Sequence, residues 1–175
     1  MRLFLIAIVT VFNSGYSLAQ SKVEQAHSLY EQRKYDQVKR LLLAIDNEEA
    51  DFAAAQYYLG RVAFDEKKYD DASNYFEEAV EANNRVADYH NWLGNTYGTI
   101  AQEANVFKKG ILAPKMKKAW ENAIALDAKN LEARTSLIQY YLQAPGFMGG
   151  SIVKAKEVAH QIIKLKPAEG HQLSP

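Results

Sequence analysis

Apolar side chains in this chain recur at three- and four-residue steps, the signature of helices with one buried stripe. The clearest stretch runs Tyr57, Tyr58, Val62 and Phe64, then breaks at the polar turn Glu66-Lys67-Lys68. It resumes as Tyr69, Ala72, Phe76, Ala79 and Val80. Asn83-Asn84 closes the second stripe with residues that tolerate the left-handed conformation. Two helices and a tight turn are therefore expected here. Sustained two-residue alternation is missing throughout, so the fold class expected is all-α.

The pattern repeats. Tyr35-Asp36 and Tyr69-Asp70 stand 34 residues apart, as do Leu59-Gly60 and Leu93-Gly94. Ala79 matches Ala123 once a 10-residue insertion is allowed in the third copy. Units are expected at about 19–52, 53–86, 87–130 and 131–167, the last ending where Pro167 halts its helix. The extra residues of the third unit are expected between its two helices, and the fourth unit carries a short loop insertion. A single pair cannot bury its stripe, whereas stacked copies can.

The first residues read differently. Met1-Arg2 precedes the apolar run Leu3–Phe12, Asn13-Ser14-Gly15 interrupts it, and Ser17-Leu18-Ala19 places small residues before a cut after Ala19. That is the layout of a secretory signal peptide at 1–19. The run is half the length of about 20 apolar residues that a bilayer span requires. An exported protein, periplasmic or extracellular, with no integral membrane span after cleavage is the expectation. The repeats then fill 20–167, and 168–175 form a C-terminal tail.

Leu59-Gly60, Tyr69, Ala72, Phe76 and Ala79, followed by Leu93-Gly94, Tyr97, Trp120 and Ala123, resemble the tetratricopeptide repeat signature. The first unit departs from it with Gln25-Ala26 in place of Leu-Gly, and the fourth with Leu137-Ile138, while Tyr141, Ala155 and Pro167 keep to it. The segment from Trp120 to His171, with Ala144-Pro145-Gly146-Phe147-Met148-Gly149-Gly150-Ser151, is similar to a subgroup of bacterial exported tetratricopeptide proteins to which no activity is attached. The resemblance implies a right-handed superhelical solenoid of about four antiparallel helix pairs, binding peptides or proteins on its concave face.

In such an array the first helix of each pair lines the groove. Helical projection then assigns it Val23, His27 and Tyr30, followed by Tyr57, Arg61, Phe64 and Asp65. The third unit adds Asp88, Asn91, Asn95 and Thr99, and the fourth Glu132, Thr135, Gln139 and Gln143. Asn91 and Asn95, one turn apart, offer amides to an extended peptide backbone. Tyr57 and Phe64 would pack a side chain and Arg61 would meet a carboxylate. Some members of the family grip a C-terminal carboxylate with lysine, asparagine and arginine. Here Glu132 stands where a basic residue would be wanted, so that role is not carried over.

The whole chain is electrically neutral and lacks cysteine, which excludes disulfides and thiolate chemistry. Charge is nevertheless uneven: residues 20–86 hold nine basic against fourteen acidic groups, and residues 87–175 eleven against seven. Lys108, Lys109, Lys115, Lys117 and Lys118 cluster around the insertion, a patch open to an acidic partner or anionic lipid headgroups, or reading simply as a solvated helix face. A nucleic-acid partner is not expected, because arginine is missing there and no interleaved exposed aromatics are expected. The loop Pro145–Gly150 lacks a phosphate-loop ending and reads as a tight connection that lets Phe147 or Met148 cover the last pair, with Ser151 as helix cap. His27, His90, His160 and His171 form no zinc or hydrolase motif, so neither an enzyme nor a metal or other cofactor is expected.

The leading expectation is a non-catalytic adaptor holding a protein or peptide through Tyr57, Arg61, Phe64, Asn91, Asn95 and Gln139. The alternative is a structural subunit of a homo-oligomer or envelope assembly, self-associating through a C-terminal pair that no polar-faced helix caps.

Overall fold

The computed structural model describes residues 21–165, and the signal peptide expected at 1–19 and the tail at 168–175 lie outside them. Eight α-helices occupy the described residues: α1 (Lys22–Glu31), α2 (Tyr35–Leu42), α3 (Phe52–Asp65), α4 (Tyr69–Ala82), α5 (Ala87–Glu103), α6 (Val106–Leu126), α7 (Leu131–Gln143) and α8 (Ile152–Leu165). A single turn of 3-10 helix, Gly146–Met148, joins the last two. Odd and even helices pair within each unit, and every even helix packs on the next odd one.

The core divides into three, one at each junction between neighbours. Ala26, Tyr30, Val38 and Leu42 of the first unit bury Leu59 and Val62 of α3. The opposite side of α3, at Tyr57 and Ala63, joins Phe76, Leu93, Tyr97 and Leu112. Trp120, Ala123, Leu137, Tyr141 and Val158 form the third cluster. A helix with neighbours on both sides must be apolar nearly all round, and α3 is. The array thus stands by nearest-neighbour burial.

Two glycines set the spacing. A Cβ on Gly60 would lie 2.7 Å from the Phe76 ring, and one on Gly94 would lie 2.6 Å from the Trp120 indole nitrogen. Each bulky ring of the second helix sits where the first helix has no side chain. In the first unit the equivalent pair is Ala26 and Leu42, both buried, the smaller partner leaving room for a methyl.

The helix ends follow local chemistry. Ser21 caps α1 in a capping box, its Oγ accepting from Glu24 N at 3.1 Å while the Glu24 carboxylate accepts from Ser21 N at 3.1 Å. The turns after α1 and α3 both close with Schellman hydrogen bonds, Lys34 N to Leu29 O at 2.9 Å and Lys68 N to Ala63 O at 2.8 Å. Their left-handed residues are Arg33 (φ 56°) and Lys67 (φ 62°), where glycine would be usual. Asn83 instead ends α4 in extended backbone (φ −148°). The insertion also differs from expectation. It makes no loop: α5 has 17 residues against 14 in α3, and α6 has 21 against 14 in α4, so the third pair projects beyond its neighbours.

Candidate functional site: a cleft beside the lengthened helix pair

The projecting pair builds a cleft of about 590 Å³ against α7 and the 3-10 turn. On α6 the lining positions Val106, Lys109, Ala113, Met116 and Trp120 follow three- and four-residue steps, a single seam along the helix. On α7 they are Ser136, Gln139, Tyr140 and Gln143, and α5 adds Asn95, Gly98, Thr99 and Gln102. Val106, Gln102 and Lys109 belong to the added length or its junction, so a repeat of ordinary length would leave this space open.

The floor is rigid. Trp120 is buried, its Nε1–H donates to Asn95 Oδ1 at 2.9 Å, and Ser136 Oγ donates to the same oxygen at 3.2 Å. Asn95 Nδ2 in turn donates to Glu132 Oε1 at 2.7 Å. The end wall is held by three contacts. Tyr140 OH donates to Met148 O, Ser151 N donates to Tyr141 O at 2.8 Å, and Ser151 Oγ accepts from Lys154 N at 3.3 Å. Met148 packs on the core as expected, but Phe147 stands 82 % exposed at the rim. A Cβ on Gly150 would sit 1.7 Å from Ala144 O, so this wall admits no side chain there. Burial, with the Glu121 carboxylate beyond it, raises the Tyr140 phenol above its ordinary pKa and keeps it a neutral donor.

The rim is amide-rich. The side chains of Gln102, Gln139 and Gln143 are exposed and make no hydrogen bond within the described residues. Lys109 is the one charged lining residue. Each free amide offers a donor and an acceptor above an apolar floor of Met116, Trp120 and Tyr140.

The six residues singled out from sequence divide. Gln139 and Asn95 reach the cleft, although Asn95 is already satisfied internally. Asn91 is 2 % exposed with its Oδ1 buried and unpartnered by protein, so the expected pair of presented amides does not exist. The two share a face of α5, but Asn91 is packed inside the array while Asn95 is bonded to Trp120, Ser136 and Glu132 at the cleft floor. Tyr57, Arg61 and Phe64 gather at the α3–α5 join. Tyr57 is buried with its ring 5.0 Å from Tyr89, and Phe64 meets Trp92 edge-on at 5.4 Å. The Arg61 guanidinium lies 4.2 Å from the Trp92 ring centre and 4.7 Å from that of Tyr30. It donates to Tyr57 OH at 2.9 Å and Tyr30 OH at 3.0 Å. Tyr30 and Tyr35 both donate to Asp65 Oδ2 at 2.8 Å. Burial, then the Asp65 hydrogen bond, push the Tyr30 phenol up to about 12. This network joins four helices, α1, α2, α3 and α5, and Arg61, whose buried Nε alone has no partner, is caged where a carboxylate grip was expected.

The basic patch is partly spent as well. Lys108 pairs with Asp70 at 3.2 Å and Lys115 with Glu77 at 3.3 Å, both stitching α6 to α4, and Lys117 pairs with Glu121 at 3.5 Å. His90 is buried with a ring nitrogen 3.0 Å from Asn84 O, whereas His27 lies exposed 3.8 Å from Glu31. Among the described residues no three His, Asp or Glu side chains gather as a metal site, and no helix is long and apolar enough to cross a membrane.

No family model and no curated protein sequence matches the chain. Solved structures do. Two crystal structures of MamA superpose with TM-scores of 0.63 and 0.64 at 17 % identity, covering 82 % and 88 % of this chain and 75 % and 78 % of theirs. TTC0263, a thermophilic TPR protein of Thermus thermophilus, superposes at 0.61 with 15 % identity, covering 83 % of this chain and 73 % of its own. The architecture is therefore the tetratricopeptide-repeat fold, an all-helical solenoid. The lengthened third pair and its cleft are read from this chain alone.

Proposed function

We propose that the protein is a non-catalytic adaptor, exported by its N-terminal signal, that captures a peptide segment of another protein in the cleft between α5, α6 and α7. The observation that carries the reading is the set of three unbonded glutamine amides, Gln102, Gln139 and Gln143, above an apolar floor in a cleft of about 590 Å³. That volume lies within the range of about 300–1,000 Å³ that ligand sites occupy. The amides suit peptide backbone, the floor one large apolar side chain, and Lys109 an acidic neighbour. Scaffold use is common for this fold, which adds support by analogy.

Gly98 provides the test. A Cβ there would sit at ordinary contact, 3.6 Å from Trp120, so a side chain is tolerated on the helix and projects over the floor. Peptides selected from a displayed random library on the full chain should bind Gly98→Leu at least tenfold more weakly, with melting unchanged or raised. Equal binding by the variant would refute the cleft.

A second reading has its own observation. The last pair leaves Leu131, Leu142, Ile152, Val153 and Ile163 exposed, on α7 and α8 where a further repeat would stack. Self-association through this flank gives a mass in sedimentation velocity that rises with concentration and stays monomeric in Leu142→Ser/Ile163→Ser. A concentration-independent wild-type mass would dismiss it.

A further inference from the structure

The outer face of α6 combines exposed apolar side chains with a cluster of lysines. At roughly 100° per residue, Phe107, Ile111 and Pro114 fall on one strip, about 150° round the helix from the seam that lines the cleft. All three are exposed, Phe107 by 86 % and Ile111 by 63 %. Exposed Gly110, beside the strip on the side of Lys117, adds no side chain there. Lys108 and Lys115 border the strip on one side, Lys117 on the other, and Lys118 closes its C-terminal end. Along α6 five lysines stand against one acid, Glu121, and the carboxylates reaching them from α4 are Asp70 and Glu77. These ion pairs are surface pairs of small net value, each worth about 0–1 kcal/mol, so the ammonium groups exchange them readily for other anions.

We propose that this face docks the protein on an anionic phospholipid bilayer, α6 lying along the surface with Phe107 and Ile111 at the headgroup boundary and the lysines on lipid phosphates. An apolar ridge edged by cations is the interfacial-helix pattern. The strip carries no hydroxyl or amide that would give a protein partner directional contacts, and it is a ridge, whereas the pocketed side of α6 faces away. A fluid bilayer accepts such a ridge without needing a complementary groove. The exposure of Phe107 and Ile111 leaves the strip free to meet a flat surface, although Lys108 and Lys115 reach back to α4. The proposal is independent of the cleft.

The test is vesicle cosedimentation of the full chain carrying Leu5→Ser, Ile6→Ser, Ile8→Ser and Val9→Ser, which removes the N-terminal apolar run as a competing anchor. Vesicles are phosphatidylcholine alone, or an equal mixture with phosphatidylglycerol. The expected result is partition to the mixed vesicles only, reversed by high salt. Phe107→Ser/Ile111→Ser should lower it by at least tenfold, and each of Lys117→Gln and Lys118→Gln by about fivefold. None of these four side chains is buried, so an unchanged helical circular dichroism spectrum checks the fold. Background partition, equal partition to neutral vesicles, or an unaffected Phe107→Ser/Ile111→Ser chain would overturn the proposal. An acidic protein partner in place of lipid would give the first of these.

Discussion

Gly94→Ala should cost far more than a methyl group suggests. The new Cβ would stand 2.6 Å from Trp120 Nε1 and 2.7 Å from Cδ1, inside contact distance of a ring packed on every side. Shifting the indole costs about 1–3 kcal/mol for overpacking. The Trp120–Asn95 hydrogen bond, normally worth about 1 kcal/mol, is strained with it. Alanine returns about 1 kcal/mol in helix propensity, so the net loss should be about 2 kcal/mol. For a chain of this size that lowers the melting temperature by about 4–8 °C. Gly60→Ala makes the corresponding clash with Phe76 at 2.7 Å, far from the cleft. Both variants should melt early by circular dichroism, but only Gly94→Ala should also weaken selected peptides, because Trp120 is cleft floor. Wild-type melting of Gly94→Ala would refute the packing argument. Equal peptide loss in both would refute the floor's role.

Other consequences are open to measurement. Replacing left-handed Arg33 or Lys67 by glycine relieves a cost of roughly 1–2 kcal/mol, less glycine's own entropy; each should raise the urea midpoint by an amount equivalent to about 0.5–1 kcal/mol, and a lowered midpoint would contradict the turn geometry. The raised Tyr30 phenol means the folded state holds its proton more tightly than the unfolded one. Its contribution is present in full below the ordinary phenol value of 10.0 and is lost as pH climbs towards about 12. The wild type should lose stability over that window, and Tyr30→Phe should flatten the slope. Gly150→Ala, blocked by Ala144 O, should abolish peptide capture at temperatures where α1–α4 remain folded.

The repeat frame was legible because Leu59-Gly60 and Leu93-Gly94 encode a packing event, a ring seated on a bare helix surface, that recurs at fixed spacing. Helix ends were legible wherever a cap or turn is local. The insertion was misplaced because length alone does not distinguish a loop from a continued helix. Its residues Ile111, Leu112 and Ala113 in fact continue α6 without a break. The groove residues went astray for a related reason. Projection assigns a face to one helix, but burial of Asn91 and Tyr57 depends on which neighbours stand on either side. Met116 and Trp120 lie on a second helix, the kind that family resemblance assigns to the outside. The cue to the cleft was the insertion facing the glycine loop of the next unit, a relation visible only once the units are stacked.

The most direct test of the account places a photo-crosslinking side chain at Gln139 in one protein and at His27 in another, both exposed positions on first helices of their units. Each is irradiated with the peptides selected on the wild-type chain. The cleft predicts crosslinks from position 139 and none above background from position 27. Labelling from position 27 with none from position 139 would put the ligand on the opposite end of the array and contradict the central claim.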